Sequence, residues 1–245
     1  METLMQTVGL FDTWVAEPAS ETTVEYDPPF SGFGSSVHDA LELAGTLVQV
    51  PPMRICVSKA IPTRAGLGGG SSDAAGTLRA IAALTQGSLN EHQCLEIAAR
   101  IGMDVPFFLT GGLARCTGYG QDVEARADEG RRHFVIAKPP VDSATPDAYT
   151  RLDALPRKLR PVAERLDTYS NDFEDVAPAE CGELVQALMD AGALRATLSG
   201  SGSACFGEFA SEADAAKAAC DLRFQALTWA VPTITAQEST WTSLS

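Results

Sequence analysis

Apolar and polar positions change period along this chain, and the changes mark its elements. From Met53 to Lys59 they alternate, which sets Ile55 and Val57 on one face of a short strand. Pro62 lacks the N–H that a central ladder needs, so the strand ends before it. Beyond Asp73 the spacing turns helical: Ala74, Ala75, Leu78, Ile81 and Ala82 line one buried stripe of a helix. Between the two lie Gly66, Gly68, Gly69 and Gly70, followed by Ser71 and Ser72.

Elsewhere the pattern predicts strand-like stretches over 7–17 and 22–27 and a helix around Ser36 to Leu47. Asn90, with Gln93 three positions later, opens a second helix that Gly102 closes. Gly111-Gly112 and Gly118-Tyr119-Gly120 punctuate short strands, and the charged run from Arg126 to Arg132 reads as an exposed linker or hairpin. A strand over His133 to Lys138 follows. Helices are expected around 146–152, 161–166 and 172–190, the last ended by Gly192. Strands at Arg195 to Leu198 and Ala204 to Phe209 flank a Ser-Gly-Ser-Gly-Ser turn. Ser211 and Asp214 cap a helix reaching about Leu227, and a strand over 228–235 completes an α+β pattern of two halves, 1–130 and 131–245.

Composition narrows the function. At 245 residues and 45% hydrophobic content the chain can bury a core without staples. With 32 acidic against 18 basic residues its formal charge is −14, which repels polyanions and argues against nucleic-acid partners or anionic membranes. Apolar runs fall short of a membrane span and no secretory leader opens the chain, so the expected location is the cytoplasm, as a monomer or homodimer. Six cysteines without a C-x-x-C pair, and only His38, His92 and His133 as nitrogen ligands, point to buried free thiols and no metal site built by the protein itself.

The glycine segment carries the chemistry. A strand, a run of residues without Cβ and a helix start point backbone N–H groups at one spot, an arrangement that holds phosphate. Glycines at 68, 69 and 70 permit positive φ, and Ser71 and Ser72 are candidates to cap the helix or to hold a phosphate or Mg²⁺. A P-loop would need Lys-Ser/Thr after the last glycine, where Ser71-Ser72-Asp73 stands. A G-x-G-x-x-G fingerprint fails as well, since Ser71 or Asp73 falls at its last position.

Residues 65–78, AGLGGGSSDAAGTL, resemble the second motif of the GHMP kinase superfamily. Four further segments agree in family order: Glu2 to Thr7, Gly102 to Phe108, Ser170 to Glu174 and Leu198 to Phe206. The triple glycine is most similar to the branch that phosphorylates the 2-hydroxyl of a cytidine-diphosphate-linked methylerythritol in non-mevalonate isoprenoid synthesis. Homoserine- and mevalonate-type kinases, or a non-catalytic nucleotide-binding relative, are the alternatives. The resemblance implies an α+β GHMP kinase fold, with an N-terminal half like domain 2 of ribosomal protein S5 and a ferredoxin-like C-terminal half. It implies ATP with Mg²⁺ and a small-molecule cytidine-diphosphate substrate.

Residue by residue, it assigns Pro62, Thr63, Arg64, Ala65, Gly66, Leu67, Gly68, Gly69, Gly70, Ser71 and Ser72 to ATP, and Asp104 to catalysis. Gly200, Ser201 and Gly202 fall in the third motif, which closes over the phosphate loop and the acceptor. Tyr149 falls where the family stacks an aromatic ring on cytosine. Read without the resemblance, Asp104 before Val105-Pro106 is equally a helix N-cap, and Tyr149 an ordinary packing residue. Asn171 and Asp172 match a family segment with no role beyond a cap. Members of the family also open with a Pro-Ala-Lys-x-Asn-Leu strand and a Gly-Tyr-His turn, whose lysine pairs with the catalytic aspartate. Neither has a counterpart in these 245 residues. Loss of one preorganised electrostatic partner costs about 10²–10³ in rate, so the chain as written is expected to be inactive or nearly so, through a misplaced start or truncation rather than decay.

Overall fold

The structure, a computed structural model, describes residues 2–29, 36–156 and 169–239. In chain order its N-terminal half places β1 (Thr3–Gln6), β2 (Thr13–Pro18), β3 (Thr23–Asp27), α1 (Ser36–Gly45), β4 (Met53–Ser58), α2 (Gly69–Leu84), α3 (Glu91–Ile101), α4 (Val105–Thr110), β5 (Leu113–Thr117) and β6 (Asp122–Ala125). The rest places β7 (His133–Lys138), α5 (Thr145–Asp153), a 3₁₀ turn (Asp172–Asp175), α6 (Ala179–Asp190), β8 (Arg195–Leu198), β9 (Cys205–Phe209), α7 (Glu212–Leu222), β10 (Leu227–Pro232) and a last turn, α8 (Ala236–Ser239).

β4 is the centre of one sheet, with β2 antiparallel on one side and β3 parallel on the other. Its alternation is realised in space: Met53, Ile55 and Val57 are buried against Val37 of α1, while Arg54 and Ser58 face out. The apolar stripe of α2 is buried too, with Ala74, Ala75, Leu78 and Ile81 packed against α1, α3 and Val105. Asn90 and Gln93 form both reciprocal bonds of a capping box, each 3.0 Å, which fixes the start of α3. A second sheet orders its strands β1-β5-β6.

Four antiparallel strands in the order β10-β7-β9-β8 make the third sheet, with α6 and α7 packed together over one face. Strand, helix, two strands, helix, strand in that spatial order is the ferredoxin-like arrangement. Phe134, Ile136 and Val231 of this sheet form a cluster with Val8, Leu10, Ala65 and Leu67, so residues from both parts of the chain share one core.

Three boundaries differ from the sequence reading. Residues 7–17 are not one strand: Leu10 N–H bonds back to Val8 O at 2.8 Å and Gly9 N–H goes to Pro232 O at 2.9 Å, so the chain turns between β1 and β2. The helix expected over 172–190 is broken at Pro178, which has no N–H to donate and leaves a 3₁₀ turn before α6. α7 ends at Leu222, not near Leu227; the N–H groups of Gln225 and Ala226 fold back to Leu222 O, and β10 begins at Leu227. The helix expected over 161–166 lies outside the described residues.

Candidate active site

The glycine turn runs straight from β4 into α2. Gly66 and Gly68 have φ of +72° and +68°, and Arg64 also takes a left-handed conformation at +53°. Gly68 is the N-cap of α2 and has no side chain to cap with, so Gly69, Gly70, Ser71 and Ser72 form the first helical turn. This corrects two expectations. Gly69 and Gly70 need no positive φ, and neither serine caps the helix; Ser72 Oγ donates back to Gly69 O at 2.8 Å. The first bond that α2 closes runs from Ser72 N–H to Gly68 O at 2.9 Å. The N–H groups of Gly69, Gly70 and Ser71 therefore point past the helix end, at the positive pole of a 16-residue helix.

The Ser199–Ser203 turn lies directly on this segment. Ser199 Oγ donates to Gly66 O at 2.9 Å, and Ala204 N–H to Ala65 O at 2.9 Å. A Cβ on Gly66 would stand 2.2 Å from Ser199 O and 2.8 Å from Gly202 N. The crowded glycine is thus Gly66; an added Cβ on Gly200 or Gly202 would meet its nearest neighbour at 3.1 or 3.0 Å. Ser201 is buried, accepts a 2.8 Å bond from Ser143 Oγ at its carbonyl, and pairs its hydroxyl with Thr145 Oγ1 at 2.9 Å. Thr145 opens α5, the helix that carries Tyr149.

Asp104 stands immediately before α4, and its side chain makes no capping bond, so the plain capping role is not the one it plays. Burial holds its carboxyl above the usual carboxylate range. Phe108, one turn further on, supplies the ring on which Gly68 rests: a Cβ there would be 2.6 Å from Phe108 Cε2. From the other half, the Tyr149 phenol is pushed up by burial and then by the charge of Asp104. Cys116 on β5 is raised to about 11 by the same two causes. Tyr149 is 39% exposed and meets Phe173 edge-on, ring centroids 4.9 Å apart at 90°. The glycine turn thus touches both the Ser199–Ser203 turn and Phe108, one turn beyond Asp104, and Tyr149 lies near enough to Asp104 to feel its charge.

A group that the sequence reading missed sits beneath the turn. Lys59 Nζ bonds to Asp12 and, at 2.5 Å, to Asp73 Oδ2, with the three side chains only 11, 4 and 7% exposed. Asp12 Oδ1 also accepts the N–H groups of Ala60 and Ile61 at 2.6 and 2.8 Å. Burial opposes the lysine charge, but its two carboxylate bonds outweigh that and hold its pKa above the ordinary value. Burial, opposed by Lys59 and reinforced by Asp12, pushes Asp73 up to about 6. Two carboxylates around one ammonium leave the second carboxylate incompletely compensated. The signal was a lysine closing an apolar strand and an aspartate 14 residues on within the same motif; Asp12 had no local signal at all.

Among the described residues no cluster of three or more His, Cys, Asp or Glu could hold a metal ion. The Ser71 hydroxyl, uncommitted among those residues, fits a Mg²⁺ whose other ligands are phosphate oxygens and water. No described helix is long and apolar enough to cross a membrane.

Comparison with known proteins shows the family. Residues 35–112 match the GHMP kinases N terminal domain and residues 163–226 the GHMP kinases C terminal domain. A 4-diphosphocytidyl-2-C-methyl-D-erythritol kinase of Caldicellulosiruptor saccharolyticus is 32% identical over 244 residues, covering 91% of this chain and 84% of that protein. A crystal structure of a 4-(cytidine 5'-diphospho)-2C-methyl-D-erythritol kinase superposes with a TM-score of 0.81 at 30% identity, covering 95% of this chain and 89% of the other. Homoserine kinase from Cytophaga hutchinsonii superposes with a TM-score of 0.71 at 18% identity over 95% of this chain and 89% of its own, a likeness of fold alone. The identity spread over nine-tenths of the sequence, together with both domain matches and the shared fold, means that the chain belongs to the GHMP kinases, within the 4-diphosphocytidyl-2-C-methyl-D-erythritol kinase family.

Proposed function

We infer that this chain binds ATP on residues 62–72 and transfers its γ-phosphoryl group to the 2-hydroxyl of 4-(cytidine 5'-diphospho)-2-C-methyl-D-erythritol. The observation that carries the reading is the meeting of three parts: the open N–H groups of α2, the Asp104 carboxylate one turn before the Phe108 ring on which Gly68 rests, and Tyr149 within the field of Asp104. The polyphosphate lies against the N–H groups of Gly69, Gly70 and Ser71, where the helix dipole favours negative charge. Ser71 Oγ would help to hold a Mg²⁺, which would supply charge neutralisation at the phosphates. Tyr149 offers a face on which cytosine stacks, an interaction worth about 1–3 kcal/mol in single-strand recognition. Gly200, Ser201 and Gly202 close over the acceptor.

Asp104 accepts the proton of the acceptor hydroxyl as that oxygen bonds to the γ-phosphorus, and the bond to the β–γ bridging oxygen breaks to release ADP. Its desolvated carboxylate is a stronger base than one in water, which suits the task. Residues 1–130 supply the nucleotide side and 131–245 the base platform and covering turn. Six free cysteines suit a reducing compartment such as the cytoplasm.

The test combines titration with turnover. Calorimetry with ATP and with the cytidine acceptor measures each site; mass spectrometry of a mixture with Mg²⁺ measures transfer. Binding of both is expected, with the phosphorylated acceptor forming at least about 10²-fold more slowly than from a relative that carries the Pro-Ala-Lys-x-Asn-Leu strand, whose lysine has no counterpart in these 245 residues. Faster turnover of homoserine or mevalonate overturns the substrate, binding without transfer favours a nucleotide-binding relative, and failure to bind ATP removes the whole reading.

A further inference from the structure

The geometry points to Asn171 as a positioning residue that locks the cytidine platform Tyr149 to the Ser199–Ser203 turn, an inference that rests on the function proposed above. Its side-chain amide is fully used by the fold. Nδ2 donates to Leu198 O at 2.9 Å and to Gly200 O at 2.8 Å, on the two sides of Ser199. Oδ1 accepts the N–H of Phe173 at 3.0 Å, and Phe173 is the ring that meets Tyr149 edge-on. A circuit closes: Gly200 to Ser201, Ser201 hydroxyl to Thr145, Thr145 along α5 to Tyr149, Tyr149 to Phe173, Phe173 to Asn171, and Asn171 back to Gly200. The same turn grips the glycine segment through Ser199 and Ala204. One amide thereby sets the distance between the phosphate end and the base end of the site. Glu174 reinforces the attachment, accepting from Thr197 Oγ1 on β8.

The chemistry requires an amide. Aspartate keeps the acceptor for Phe173 but aims a carboxylate at two carbonyl oxygens; alanine leaves all three partners unpaired, and a lost partner costs more than a net hydrogen bond contributes. Because Asn171 reaches the ligand only through Tyr149 and the turn, its effect on base binding and that of Tyr149 are not independent.

A double-mutant cycle with CDP as the probe, read by calorimetry, tests this. Asn171→Ala and Tyr149→Ala are each expected to weaken CDP binding about tenfold, and the double variant to bind within about twofold of the weaker single one. Additive losses, near a hundredfold, or an Asn171→Ala protein that binds CDP like wild type, would overturn the proposal. Amide hydrogen exchange without ligand supplies a readout independent of the substrate. Exchange at Gly202 and Ala204, whose N–H groups bond to Ser199 O and Ala65 O, should speed up at least tenfold in Asn171→Ala while α7 stays protected. Unchanged exchange there overturns the positioning role. A wild-type chain that does not bind CDP at all refutes the acceptor proposed above, and the exchange result then decides Asn171 alone.

Discussion

Asp104 and Lys59 show how burial turns single charges into devices. Asp104 is desolvated, and among the described residues no hydrogen-bond donor restores its acidity, so its ionised form is the costly one. Replacement by Asn keeps size and loses the proton acceptor. Turnover is expected to fall by roughly 10²–10⁴, with ATP binding by calorimetry unchanged. The acid limb of kcat should lie above the ordinary carboxylate value, because the rate needs the ionised group and protonation removes it; a limb near the value of a free carboxyl would count against Asp104 as base. For Asp73 the sign is that of any carboxyl raised on folding. Its folded value of about 6 exceeds the unfolded 3.8, so its contribution to stability is complete below 3.8 and is lost as pH rises through 6. Lys59→Met leaves Asp12 and Asp73 facing each other without the ammonium. It should cost about 3–5 kcal/mol near neutral pH, and less as the medium is acidified and a proton takes the place of the lysine. Thermal unfolding of both proteins across that pH range would show the gap narrowing; a constant gap would contradict the triad account.

At the scale of elements, the turn between β4 and α2 depends on how closely backbone can approach backbone. Gly66→Ala adds a Cβ 2.2 Å from Ser199 O and forces it onto a residue at φ +72°. Both features act on the contact between the glycine segment and the Ser199–Ser203 turn, so ATP affinity should fall at least tenfold. Gly76→Ala is the control, since its Cβ position has nothing within 4 Å on a helix that gains from alanine; equal binding losses for the two would refute the argument. The same elements show what a sequence discloses. β4 and α2 were legible because each keeps one period throughout, and α3 because Asn90 and Gln93 are a local pair. The start of α2 was misplaced by three or four residues because glycines at 69 and 70 look like loop while their backbone is helical. The break at Pro178 was written in the chain but outweighed by the apolar stripe around it. Asp12 could not be read at all: its role exists only because β2 returns beside β4 and brings it to a lysine 47 positions away. Asn171 carried a local cap signal, realised in its bond from Phe173, and a distant role across 27 and 29 residues that no local pattern records.

Across the whole molecule, the candidate site draws on both parts of the chain, so its geometry depends on their shared core. Phe134, Ile136 and Val231 from the ferredoxin-like sheet pack with Ala65 and Leu67 of the glycine segment and with Val8 and Leu10 between β1 and β2. The Phe134 ring lies edge-on to Phe206, centroids 5.7 Å apart, and Phe206 in turn to Tyr169, 5.3 Å away. Tyr169 donates to Glu208 at 2.9 Å, and Glu208 also receives Arg132 and Arg195, so the aromatic stack ends in a satisfied ionic group rather than in a loose edge. A core shared in this way couples the stability of both parts, and unfolding is expected as one calorimetric transition rather than two. Phe134→Ala removes a ring that is 4% exposed and should destabilise by about 3–5 kcal/mol. The loss should appear equally in hydrogen-exchange protection of α2, which Phe134 does not belong to, and of β7, which it does. Protection lost in β7 while α2 keeps its wild-type value would mean that the two parts fold separately, and that the glycine segment takes its shape without the sheet beneath it.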